Sequence, residues 1–98
     1  MAQFDVLRLK SGDWVIDCQT DLLDGISTRF VVPLALPEDA PPVRPRLNPI
    51  FDVAGERRVM VTQFAGAIAL PELAGKITSL SAEEYTIRNA LDMLLSGV

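Results

Sequence analysis

Arginines, threonines and aspartates are the residues best suited to chemistry in this chain, because histidine is absent altogether. Without imidazole the commonest general base near neutral pH is missing, and so is the commonest zinc ligand. A Ser-His-Asp or Cys-His arrangement cannot be assembled. The lone cysteine, Cys18, cannot close an internal disulfide or build a structural zinc site. One catalytic possibility survives. An arginine can stabilise a pentavalent phosphate while a carboxylate, threonine or second arginine assists. Thr28, Arg29, Arg57, Arg58 and Thr62 supply such groups, although each is more simply an outward-facing strand residue. Asp21 and Asp24 flank a turn, where aspartate bonds local backbone; acid–base work would also need a cleft and a perturbed pKa. The glycines are scattered, so no phosphate-cradling loop is present.

The other candidates are recognition groups. Leu22 and Leu23 are adjacent aliphatics in a polar-flanked loop. Either one of them folds into the core, or the pair forms an exposed contact surface, a dimer seam or a partner site. Trp14 is the only tryptophan and reads as core or half-buried sheet surface, with Cys18 a small core residue on the same face. The pairs Arg44 with Arg46 and Arg57 with Arg58 read as solvated surface, with a local basic patch as the alternative.

The elements that position these residues follow from periodicity. Residues 3–9 and 14–19 alternate and predict two strands, joined by the Lys10-Ser11-Gly12-Asp13 turn into a hairpin. A third strand is predicted over 28–35, with Phe30, Val32 and Leu34 on one side and an exposed edge at Pro33, which lacks an N–H. Residues 36–49 carry five prolines and exclude a regular helix or a central strand. A second hairpin is expected over 49–63, with Gly55-Glu56 as a type II′ turn. Gly66 marks a bend, residues 71–75 a turn or short helical piece, and residues 76–80 a last strand. Ser81-Ala82-Glu83-Glu84 reads as a capping box for a terminal helix, with Ile87, Ala90, Leu91, Leu94 and Leu95 as one apolar stripe. Glu84 and Arg88 pair at i,i+4, and Gly97 sits at the C-cap. Strands first and a helix last predict a mainly β, α+β fold: an antiparallel sheet or small barrel with a C-terminal helix packed on it.

The chain has 98 residues, about half of them hydrophobic, which fits one domain over 1–98 of modest stability that homo-oligomerisation would reinforce. A formal charge of −4 opposes non-specific binding to nucleic acid. The start of the chain lacks a basic, long apolar leader, and no stretch approaches the ~18–20 apolar residues of a membrane span, so the cytoplasm is the expected location.

The ordered pattern says more than any single motif. Gln3-Phe4-Asp5-Val6 opens the chain, and Asp17-Cys18-Gln19-Thr20-Asp21-Leu22-Leu23-Asp24 follows. Then come Arg29-Phe30-Val31-Val32-Pro33-Leu34-Ala35, Leu47-Asn48-Pro49-Ile50-Phe51-Asp52-Val53 and Arg88-Asn89-Ala90-Leu91-Asp92-Met93-Leu94-Leu95. In this order and length the segments resemble the CcdB family, the toxins of CcdA–CcdB type II toxin–antitoxin systems. The resemblance covers nearly the whole chain. It implies a homodimer of a small SH3-like barrel with a C-terminal helix, without a cofactor. It implies a toxin that binds the GyrA subunit and traps the gyrase–DNA cleavage complex. It also implies a CcdA-like antitoxin with a disordered tail, which supplies the DNA-reading domain, so that the toxin itself contacts neither nucleic acid nor membrane.

Carried over by position, the resemblance places target contacts at Leu22, Leu23, Asp92, Leu95, Ser96, Gly97 and Val98. It places antitoxin contacts in the Lys10, Ser11, Gly12 and Asp13 turn and in the loop over 37–46, where Arg44 and Arg46 would meet an acidic tail. Three positions depart from the family pattern. Ser96 stands where the well-studied toxins carry a stacking tryptophan, Asp92 replaces an asparagine, and Leu95 replaces an aromatic residue. Two rival expectations stand beside this one: a MazF-like endoribonuclease on the related barrel, and a non-toxic homologue that retains antitoxin binding.

Overall fold

The computed structural model describes residues 1–98. Its strands are β1 (Asp5–Leu9), β2 (Trp14–Asp17), β3 (Thr28–Ala35), β4 (Ile50–Val53), β5 (Glu56–Met60), β6 (Gly66–Ala69) and β7 (Leu73–Ser79), and its helix is α1 (Glu84–Ser96). All pairings are antiparallel, in the order β4-β5-β3-β2-β1-β7, and β6 also pairs with β3. The sheet curls into a half-barrel with the helix at the chain's end, as the sequence pattern predicted.

Two apolar faces explain the curl. Val6, Ile16, Val32, Leu34, Phe51, Val53 and Met60 form the main core, closed by Ile87 and Ala90 of α1, with Trp14 and Leu91 packed at its margin. On the opposite face Leu7, Val15 and Val31 make a smaller cluster, covered by Leu9, Ile68 and Leu73. β1 is therefore buried on both sides rather than alternating with solvent, and Asp5 is buried with it.

β3 is not an edge strand at Pro33, as expected, but the branch point of the sheet. Residues 28–31 pair with β6 and residues 34–35 with β5, while 31–33 pair with β2. Pro33 lies where the partner changes, and its carbonyl accepts the Val61 N–H at 2.9 Å. A missing N–H is tolerated where the ladder is already interrupted.

The second hairpin turns one residue earlier than expected. Val53 pairs with Glu56, so Ala54 and Gly55 form the loop. Both have positive φ, 51° and 86°, which is type I′ geometry rather than type II′. The capping box does not form either. The chain enters the helix through a 3-10 turn at Ser81–Glu83, so Glu83 takes the N-cap position without a side-chain cap. Glu84 instead bonds Arg88 at 2.7 Å. The apolar stripe splits: Ile87 and Ala90 are buried, whereas Leu94 and Leu95 lie exposed beyond the sheet. Gly97 does cap the helix, with φ 76° and its N–H donating to the Met93 carbonyl.

Candidate functional site

Leu22 and Leu23 sit on a 3-10 turn, Asp21–Leu23, capped by Thr20, whose hydroxyl accepts the Leu22 N–H. Neither folds into the core. Leu22 is 92% exposed, and Leu23 is also exposed. The surrounding polar groups fix the turn from every side. The Gln3 N–H donates to Asp21 Oδ1 at 2.9 Å, and the Gln19 side-chain amide donates to the Leu23 carbonyl at 3.2 Å. Asp24 lies 3.8 Å from Arg29 Nη1.

Arg29 is the largest departure from the outward-facing strand residue that its position predicted. It is 1% exposed, and Asp17 opposite it is fully buried. Nε donates to Asp17 Oδ2 at 2.9 Å, and Nη2 lies 2.6 Å from the same oxygen. A buried guanidinium needs such a partner, since an unpaired ion in a low-dielectric interior is strongly disfavoured. Thr62 is fully buried too, and its hydroxyl donates to the Leu47 carbonyl. Arg58 is half-buried, with its guanidinium carbon 3.9 Å from the centre of the Trp14 ring. Of the five groups that could attend a phosphate, only Arg57 is exposed. Cys18 is buried, and desolvation followed by the neighbouring Asp17 charge pushes its thiol up to about 12, which suits a core residue rather than a nucleophile.

At the other end of the chain Asp92, Leu95, Ser96, Gly97 and Val98 are all exposed, Leu95 at 79% and Val98 at 77%. The Ser96 hydroxyl turns back on the helix and donates to the Asp92 carbonyl at 2.9 Å. Arg46 reaches this tip. Its Nη2 donates to Asn89 Oδ1 at 2.7 Å and to the main-chain oxygen of Val98. Arg46 has a φ of 67°, a left-handed conformation that costs about 1–3 kcal/mol for a non-glycine residue. The arginine expected to face an acidic tail is therefore already engaged with the terminal helix. Arg44 is exposed, its backbone N–H held by Asn48.

Lys10, Ser11, Gly12 and Asp13 form an exposed turn, with Gly12 at φ 95°. Gly12 and Asp13 rim a cleft of about 510 Å³ walled by Trp14, Arg58, Phe64 and Ile68. Arg44 and Arg46 do not line it, but Asp39 of the same proline-rich loop does, so the turn and that loop share the cleft without the two arginines. No hydrogen bond joins the Leu22–Leu23 turn to the helix tip either; each is anchored by its own network. No sequence pattern marked the Gln19 contact with Leu23, the Arg46 contacts or the Arg58–Trp14 wall; the last two join residues far apart in the chain, and the first is a short-range side-chain bond with no motif of its own.

There are three pockets, none holding histidine, and no group of His, Cys, Asp and Glu is placed to hold a metal ion. No helix is long and apolar enough to cross a membrane. What the geometry displays is two sets of exposed aliphatics, each on a locally fixed frame. A family model described as CcdB protein matches residues 3–97, almost the entire chain. With that match and the curled antiparallel sheet capped by a C-terminal helix, the chain belongs to the CcdB family, the toxin component of toxin–antitoxin systems.

Proposed function

We propose that this chain acts by binding protein: as a homodimer it engages the GyrA subunit of DNA gyrase and holds the gyrase–DNA cleavage complex, so that breaks persist. The observation that carries this reading is the exposure of Leu22 and Leu95 on frames that leave them no route into the core. An aliphatic held in water by fixed local structure gains free energy when a partner covers it. Leu22 and Leu23 supply one contact. Leu95 and Val98 supply the other, with Asp92, Ser96 and Gly97 shaping the tip. The antitoxin, of CcdA type with a disordered acidic tail, meets the Lys10–Asp13 turn and Arg44. It meets Arg46 only by displacing the tip from that side chain. The protein works without a cofactor, a membrane or direct contact with nucleic acid, in the cytoplasm.

Two observations bear on the rival readings. Burial of Arg29 and Thr62 withdraws two of the five groups that could attend a phosphate, which weakens the endoribonuclease reading. The Ser96 hydroxyl, turned back on Asp92, offers no aromatic plane, and losing a stacked anchor at an interface costs about 2 kcal/mol or more. That favours weakened gyrase poisoning and keeps a non-toxic, antitoxin-binding homologue as the second reading. A gyrase supercoiling and cleavage assay separates them. Accumulation of cleaved DNA with the purified chain, reversed by its antitoxin, is the expected result. Antitoxin binding with no effect on gyrase would establish the second reading, and RNA cleavage by the isolated protein would overturn both.

A further inference from the structure

We infer that Gln19 is a positioning residue that holds the Leu22–Leu23 turn in its binding-ready geometry; this deepens the proposed reading of that turn as a target contact and rests on it. Gln19 is buried and sits at the exit of β2. It makes three hydrogen bonds, each to a different part of the fold. Its backbone N–H donates to Asp17 Oδ1 at 3.0 Å. Its side-chain Oε1 accepts the Phe30 N–H at 2.9 Å, and Nε2 donates to the Leu23 carbonyl at 3.2 Å. The amide orientation follows from chemistry: the Phe30 N–H can only donate, so the oxygen must face it and the NH₂ is left for the carbonyl. Gln19 thus bridges β3 to the turn. Asp17, which fixes the Gln19 backbone, is in turn held by Arg29, and Arg29 also faces Asp24 at the far end of the turn.

The bridge has a functional consequence because packing holds this pair weakly, Leu22 being 92% and Leu23 50% exposed. Both are exposed, and no residue of the turn is buried. Their orientation rests on hydrogen bonds: the Thr20 cap and the Gln3–Asp21 bond hold the start of the turn, and the side-chain bridge from Gln19 leads from the Leu23 carbonyl into the buried part of the sheet. A turn ordered before binding needs less ordering at the moment of contact, and a loss of that order lowers apparent affinity by the fraction of time the turn spends in the competent geometry.

Three variants test this. Gln19→Leu removes both side-chain bonds. Gln19→Glu keeps the acceptor for the Phe30 N–H but turns the donor to Leu23 into an oxygen that repels that carbonyl, and it adds a charge near Asp17. Parent-like exchange of its strands is the check that it folds, and with that check it remains informative if Gln19→Leu does not fold. Leu22→Ala with Leu23→Ala reports on the contact itself. Two quantities are read: amide hydrogen exchange of residues 22–24 against β1 and β2, and affinity for a purified GyrA fragment. For Gln19→Glu we expect exchange in the turn to rise while that of the strands is unchanged, and GyrA affinity to fall about tenfold, as for a turn competent a tenth of the time. In the Leu22→Ala/Leu23→Ala background the Gln19 substitution should then add almost nothing, because its effect passes through those leucines. Parent-like exchange of the turn in Gln19→Glu overturns the positioning role, whatever the affinity. Faster exchange with parent affinity overturns its functional consequence. Parent affinity in the double alanine variant overturns the contact reading itself and, with it, the link to binding, leaving only the exchange result to judge the bridge.

Discussion

Replacing Arg29 with methionine removes one half of a fully desolvated ion pair and keeps most of the side-chain volume. Nε and Nη2 both address Asp17 Oδ2, at 2.9 and 2.6 Å, and neither side chain is more than 2% exposed. Breaking such a pair leaves a carboxylate buried without its counter-charge, which costs about 3–5 kcal/mol. Domains of this size are stable by only about 5–15 kcal/mol in total. With about 4–8 °C of melting temperature lost per kcal/mol, Arg29→Met should melt roughly 12–40 °C below the parent. Removing both charges is different, because a buried pair replaced by apolar groups of similar volume is often close to neutral. Asp17 Oδ1 also accepts the Gln19 N–H, so the Arg29→Met/Asp17→Leu variant still lacks one buried acceptor, a loss of about 1–3 kcal/mol. The double variant should therefore be more stable than Arg29→Met alone. Urea unfolding followed by fluorescence of the single tryptophan, Trp14, measures all four corners of this cycle. If Arg29→Met unfolds like the parent while an RNA-cleaving activity disappears, the arginine serves chemistry rather than structure and the reasoning is refuted.

Other expectations follow from single features. Arg46→Ala should change global stability by less than about 1 kcal/mol, since the clamp is exposed, yet speed amide exchange at residues 96–98. Unchanged exchange there would mean that the clamp does not order the tip. Ala54→Asn should stabilise the protein by up to about 1 kcal/mol, because asparagine tolerates the left-handed first position of a type I′ turn better than alanine, and urea midpoints report it. The Cys18 thiol should resist alkylation in the native state at neutral pH and react once the chain is unfolded. Because its folded-state pKa is raised, from 9.0 to about 12, the folded state holds more protons between those values. Its contribution to stability is complete below pH 9.0 and is lost as pH rises toward about 12, so unfolding midpoints should fall across that interval.

Much of the frame could be read from residue order alone, because period-2 runs and terminal signals are local. β3 runs over Thr28–Ala35 as predicted, and Gly97 caps the helix where predicted. The readings of Arg29 and Pro33 fail for one reason: each requires knowledge of what lies across the sheet. Arg29 looks like a solvent-facing strand residue until β2 brings Asp17 opposite it. Pro33 looks like an edge marker until β5 and β6 are seen to divide β3 between them. Ser81 looks like a helix cap, but a preceding 3-10 turn moves the helix start beyond it. Of the candidate contacts, Leu22, Leu23 and the final residues are exposed, since loops and chain ends have little to bury them. The anchors Gln19 and Arg46 match no motif, and Arg46 reaches its partners only through the fold.

The central claim is that two displayed aliphatic sets grip a protein target. The most direct test is the affinity of a GyrA fragment, by calorimetry, for the intact chain against one lacking Ser96-Gly97-Val98. The account predicts measurable binding by the intact chain and at least a tenfold loss on deletion, about 1.4 kcal/mol at 25 °C. Equal affinity for the two chains, or no binding by either, would contradict it.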